Sequence, residues 1–96
     1  MAKLSESAVE EKLRGLAGWR LESGALARDY TFPDFVEAFA FVTRLALAAE
    51  KAGHHPDIDI RYNKVHVGLV SHDAGGITER DVAMAGTISK LGDFKG

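Results

Sequence analysis

Ninety-six residues can close one hydrophobic core but not two, so the chain reads as a single domain over 1–96. A hydrophobic fraction of 46% with 27% charged residues excludes a disordered chain, and a formal charge of -2 without a Lys/Arg cluster argues against nucleic acid held through its phosphates. With no cysteine, no apolar leader and no run long enough to span a bilayer, the expected setting is cytoplasmic, with no membrane partner.

In chain order, Ser7 to Glu10 has the S-x-x-E form of a capping box, and Val9, Leu13 and Leu16 recur at helical spacing. They predict a first helix stopped by Gly15 and Gly18. From Trp19 to Phe32, apolar residues alternate around Ser23-Gly24, with Trp19 and Leu21 before the turn and Leu26, Tyr30 and Phe32 after it, as in a β-hairpin. Pro33-Asp34 ends the second strand, and Asp34 with Glu37 caps a long helix running to about Ala52 and terminated by Gly53. Its stripe of Phe35, Phe39, Val42, Leu45 or Ala46, and Ala49 is expected to lie on a sheet.

After Pro56, Ile58, Ile60 and Tyr62 alternate with Asp57, Asp59 and Arg61, and beyond an Asn63-Lys64 turn Val65, Val67 and Leu69 alternate with His66 and Gly68. That predicts a second hairpin. Thr78 and Asp81 form a third capping box, with Ile77 and Val82 as its hydrophobic staple. Met84, Ala85, Ile88 and Leu91 make the buried face of a last helix, closed by Gly92 before a short polar tail. The order α-β-β-α-β-β-α predicts an α+β two-layer sandwich, a four-stranded antiparallel sheet with the helices packed on one face.

All four histidines lie between positions 54 and 72, and imidazole is the side chain that changes charge near neutral pH. His54 and His55 precede the third strand and His72 follows the fourth, so an antiparallel hairpin brings the three to one end of the sheet. Glu50 stands one helical turn before His54. The group suits acid/base work or metal ligation. Against a metal, neighbouring side chains diverge where the backbone is extended, and neither HExxH nor HxH spacing is present. His66 alternates with Val65 and Val67, so it faces away from the core. Capping alone could explain Asp81, the turn into the last helix most simply explains Gly75-Gly76, and core packing could explain Trp19.

The segments Glu50-Lys51-Ala52-Gly53-His54-His55-Pro56, Tyr62-Asn63-Lys64-Val65, His72-Asp73-Ala74-Gly75-Gly76 and Thr78-Glu79-Arg80-Asp81 resemble the pterin-4a-carbinolamine dehydratase family. That family's pattern is an acidic or similar residue, three spacers, His-His-Pro, an aromatic residue after five more, a His after nine and an Asp after eight. Glu50, His54, His55, Pro56, Tyr62, His72 and Asp81 occupy those positions, and Gly18-Trp19 before the first strand also matches. Several relatives carry Trp where this chain has Ile58, which weakens the expectation of stacking there.

The resemblance implies a hydro-lyase that takes water from 4a-hydroxytetrahydropterin after aromatic amino-acid hydroxylation, giving the quinonoid dihydropterin. It implies a homo-oligomer, dimer or tetramer, with no metal and no cofactor. It casts His54 and His72 as proton-transfer groups on opposite sides of the pterin and His55 as a group that orients the substrate; Glu50 and Asp81 would orient imidazoles or bind the pterin edge, among substrate-binding residues that include Trp19 and Pro56. Some animal relatives also stabilise a homeodomain transcription factor dimer, a role that no residue here supports. An interaction module of the same fold is the competing reading.

Overall fold

The structure, a computed structural model, describes residues 2–93; the polar tail beyond Asp93 lies outside them. Three helices, α1 (Glu6–Leu13), α2 (Phe35–Ala52) and α3 (Glu79–Gly92), accompany four strands, β1 (Arg20–Glu22), β2 (Ala25–Thr31), β3 (Asp57–Arg61) and β4 (Lys64–Leu69). The strands form one antiparallel sheet in the order β1-β2-β4-β3, so the two hairpins join through β2 and β4, which pair from Leu26↔Leu69 to Thr31↔Lys64. The expected α+β sandwich is the observed one.

Local chemistry accounts for most boundaries. Ser23 (φ 51) and Gly24 (φ 81) are both left-handed, the backbone that a two-residue hairpin with the twist of its strands requires. Asp34 accepts a hydrogen bond from the Glu37 amide at 2.8 Å and starts α2, and Gly53, at φ 68, ends it. Side chains of β2 and β4 on the inner face, Leu26, Tyr30, Val65, Val67 and Leu69, are buried against Phe41 and Leu45 of α2 and Met84 and Ile88 of α3.

Four expectations need correction. The first helix is capped by Ser5, whose hydroxyl accepts from the Ala8 amide at 3.2 Å, so Ser7 lies inside it. Two serines separated by one residue leave the cap ambiguous, and the tie of the Leu4 amide to the Ile77 carbonyl at 2.7 Å fixes the start two residues earlier. Tyr62 is a turn residue at φ 52 and not the end of a strand; the second turn is Tyr62-Asn63. Asn63 holds it by donating from its side chain to the Phe32 carbonyl at 2.9 Å.

The buried stripe of α2 is Ala38, Phe41, Leu45 and Ala49, while Phe35 (48%) and Phe39 (52%) are exposed. This helix carries two apolar stripes, and periodicity identifies the helix without saying which stripe meets the sheet. Alanine at 38 and 49 lets the backbone approach closely, and Phe41 packs between Tyr30 and Phe32 with ring centroids 4.7 and 5.2 Å away. Finally, Gly92 does not stop α3 by turning left-handed. A Cβ there would sit 2.4 Å from the Tyr30 ring, so glycine admits the tyrosine against the helix.

Candidate functional site

Gly53 sets the position of His54. Its left-handed turn lets the His54 amide reach back to the Ala49 carbonyl at 3.2 Å, closing the helix and directing the chain toward β3. The His54 ring, 12% exposed, then meets α3: Nε2 lies 2.5 Å from Oδ1 of Asp81, whose side chain is wholly buried.

Asp81 is held from its other oxygen. Oδ2 accepts from the Thr78 amide at 2.8 Å, the reciprocal half of the capping box, and from the Ser71 hydroxyl at 2.8 Å. The Ser71 and Thr78 hydroxyls are themselves 2.9 Å apart, and both residues are buried. A carboxylate sealed from water costs several kcal/mol unless donors surround it. Here a helix amide, a hydroxyl and an imidazole surround it, at the positive end of α3. Capping and site chemistry are therefore the same carboxylate.

Ser71 was not legible as a site residue, because a serine after a strand is an ordinary loop residue. The one available signal was the capping box, whose carboxylate oxygen keeps a lone pair free after it accepts the cap amide. The loop it begins folds on itself: the Ser71 amide donates to the Gly76 carbonyl at 2.9 Å and the Gly76 amide to Ser71 at 3.3 Å. On this loop His72 opens a short 3-10 turn, His72–Ala74, and is exposed. Arg80 of α3 pins the turn by donating to Asp73 at 2.7 Å, and that hydrogen bond holds the Asp73 carboxyl below the usual carboxylate range.

His55 points to solvent with its Nε2 2.7 Å from Oε1 of Glu50, the two side chains 65% and 80% exposed. Pro56 is half-buried beside them. Because Asp57 pairs with Gly68, residues 54–56 and 72 fall at one end of the sheet, as the hairpin argument requires. Trp19 lies apart: it is 7% exposed and its indole N–H donates to the Ser89 hydroxyl at 2.8 Å. Ser89 is eight residues along α3 from Asp81, about 12 Å by helical rise, so the indole N–H is held away from this cluster. His66 faces away from the helices with Nδ1 2.6 Å from Asp29 Oδ1, which lowers the Asp29 carboxyl's affinity for its proton. Among the described residues, no three His, Asp or Glu side chains group closely enough to hold a metal ion, and no helix is long and apolar enough to cross a membrane.

Residues 2–91 match the family described as pterin 4 alpha carbinolamine dehydratase. A protein of Acidobacterium capsulatum provisionally named as such a dehydratase is 54% identical over 91 residues, covering 95% of this chain and 99% of its own length. One from Thermomicrobium roseum, named in the same way, is 50% identical over 91 residues, with 95% and 98% covered. Among solved structures, a transcriptional coactivator/pterin dehydratase from Brucella melitensis superposes with a TM-score of 0.90 at 40% identity, covering 94% of this chain and 98% of that one. A pterin dehydratase-like protein identified as a RuBisCO assembly factor in the alpha-carboxysome is more distant. It superposes at a TM-score of 0.69 and 25% identity, with 81% and 93% covered.

Proposed function

The chain belongs to the pterin 4 alpha carbinolamine dehydratase family, and on that ground we propose that it removes water from 4a-hydroxytetrahydropterin to give the quinonoid dihydropterin, recycling the pterin after aromatic amino-acid hydroxylation. The observation that supports this reading most is the pairing of His54 with a buried carboxylate held on both oxygens. Such an imidazole is fixed in place and can gain a proton without leaving its partner.

In the reaction, the bond from C4a to the hydroxyl oxygen breaks and the adjacent ring nitrogen loses its proton as the C=N bond forms. An acid must deliver a proton to the departing hydroxyl, and a base must take one from the nitrogen. His54, backed by Asp81, serves as one of these. His72, on a loop tied to the same network through Ser71, serves as the other from the opposite side of the ring. His55 with Glu50 orients the pterin edge from the exposed rim, beside Pro56. Both transfers are ordinary imidazole chemistry, so neither metal nor organic cofactor is part of this proposal.

The same reading includes self-association. The outer side of α2 exposes Phe35, Val36, Phe39 and Leu47, apolar surface of the kind that marks an interface. The occupant we propose is a second copy of the chain, with its α2 antiparallel. That arrangement sets the acidic start of one helix, Asp34 and Glu37, against Lys51 at the end of the other.

The test is the rate of water loss from synthetic 4a-hydroxytetrahydropterin, corrected for the spontaneous reaction. Catalysis that survives chelator treatment is expected. A rate no faster than the spontaneous one would favour an interaction role, as the distant assembly-factor neighbour's name suggests for that protein. Loss of activity with EDTA, restored by zinc, would return the histidines to metal ligation.

A further inference from the structure

Directionality can be assigned along the buried polar chain behind His54. The Ser71 hydroxyl has one proton, and it is given to Oδ2 of Asp81 at 2.8 Å. The 2.9 Å contact between the Ser71 and Thr78 hydroxyls must therefore be donated by Thr78, whose own oxygen already accepts from the Arg80 amide at 3.2 Å. Every proton in the chain points toward the carboxylate. Asp81 thus meets the Ser71 hydroxyl and the Thr78 amide as an acceptor on one oxygen, which leaves its other oxygen to face the imidazole.

We infer that Ser71 is a positioning residue which, through Asp81, fixes neutral His54 as the tautomer protonated at Nε2, so that Nδ1 is the nitrogen that exchanges a proton with the substrate. Three features support it. Ser71 stands at the N-terminal cap of the 3-10 turn yet makes no side-chain capping bond there, so its hydroxyl is free of the usual task of a serine at that place. It is 1% exposed, so water does not satisfy it in place of Asp81. Its donation occupies Oδ2 and stops the carboxylate from turning, which leaves Oδ1 aimed at Nε2, 2.5 Å away. The other ring nitrogen is set by that bond, because in a neutral imidazole one nitrogen donates and the other accepts.

The assignment of Nδ1 to the substrate rests on the dehydratase reading; the tautomer itself does not. The experiment is therefore nitrogen-15 NMR of the histidine-labelled full chain, at alkaline pH where the ring is neutral, joined to dehydration kinetics. In the wild type, Nδ1 of His54 should resonate in the unprotonated range and Nε2 in the protonated range. Ser71→Ala should give a mixed tautomer population and a kcat lower by roughly tenfold, with KM little changed. Ser71→Thr, which keeps the hydroxyl, should restore both. If Ser71→Ala does not fold, Ser71→Cys replaces it, since a thiol is a weak donor of nearly the same size. A wild-type His54 protonated at Nδ1 overturns the inference, as does a folded Ser71→Ala or Ser71→Cys protein with wild-type ring shifts. Absence of dehydratase activity in the wild type would sink the proposed function while the ring shifts still decided the tautomer.

Discussion

At the scale of single residues, the candidate site shows how one side chain answers two demands. Asp81 looks complete as the third residue of a capping box, and in that role it accepts from Thr78. Burial makes its second oxygen equally demanding, and His54 and Ser71 are the groups that meet the carboxylate from outside the helix. That His54, His55 and His72 gather at one end of the sheet was legible in the sequence, because hairpin topology sets which loops share that end. Ser71 was not, since its role depends on a tertiary contact ten residues ahead. The Trp19 indole donates to Ser89 of α3.

The exposed pair Arg80 and Asp73 makes a prediction of its own. Arg80 lowers the Asp73 carboxyl below its usual range, so the unfolded chain binds that proton more readily than the folded one. A carboxyl of this kind contributes stability that is present above the unfolded value, about 3.9, and lost as pH falls through the lower folded value. Denaturant midpoints should therefore fall less steeply below about pH 4 in Asp73→Asn than in the wild type. The effect is small, because the pair is open to solvent. A steeper acid loss in the variant would contradict the assignment.

At the scale of elements, nearly every helix and strand followed from caps, glycines and alternation, and the errors have a common source. Ser5 against Ser7, and the two stripes of α2, are choices between locally equal candidates that only packing resolves. Gly92 makes that point testable. It is the last residue of α3, and a Cβ there meets the Tyr30 ring at 2.4 Å, whereas one at Gly86 in the same helix meets nothing within 4 Å. Gly92→Ala should destabilise the fold by about 1–3 kcal/mol through overpacking. Gly86→Ala should stabilise it by about 0.5–1 kcal/mol, because alanine suits a helix interior better than glycine. Chemical denaturation checks both, and a neutral Gly92→Ala would mean that the tyrosine yields easily.

At the scale of the whole molecule, the sheet has one covered face and one open face. The open face carries Asp29, His66 and Asp59 on neighbouring strands, which keeps it hydrated. The apolar excess lies instead on the outside of α2. If a second copy covers that stripe, Phe39→Glu combined with Leu47→Glu should lower the mass seen by light scattering at micromolar concentration while leaving the circular dichroism spectrum intact. A wild-type protein that is strictly monomeric under those conditions would remove the interface.

The central claim is that His54 and His72 move the protons of a dehydration. Removing a general acid or base costs about 10²- to 10⁴-fold in rate, whereas a solvated imidazole such as His66 should cost nothing. The most direct measurement is initial-rate dehydration of resolved 4a-hydroxytetrahydropterin stereoisomers by His54→Ala, His72→Ala, the double variant and His66→Ala, each confirmed as folded. Groups acting from opposite faces predict that each single variant is slow but retains some activity toward one stereoisomer, that the double variant falls near the spontaneous rate, and that His66→Ala matches the wild type. Near-normal turnover by a folded double variant would contradict the account.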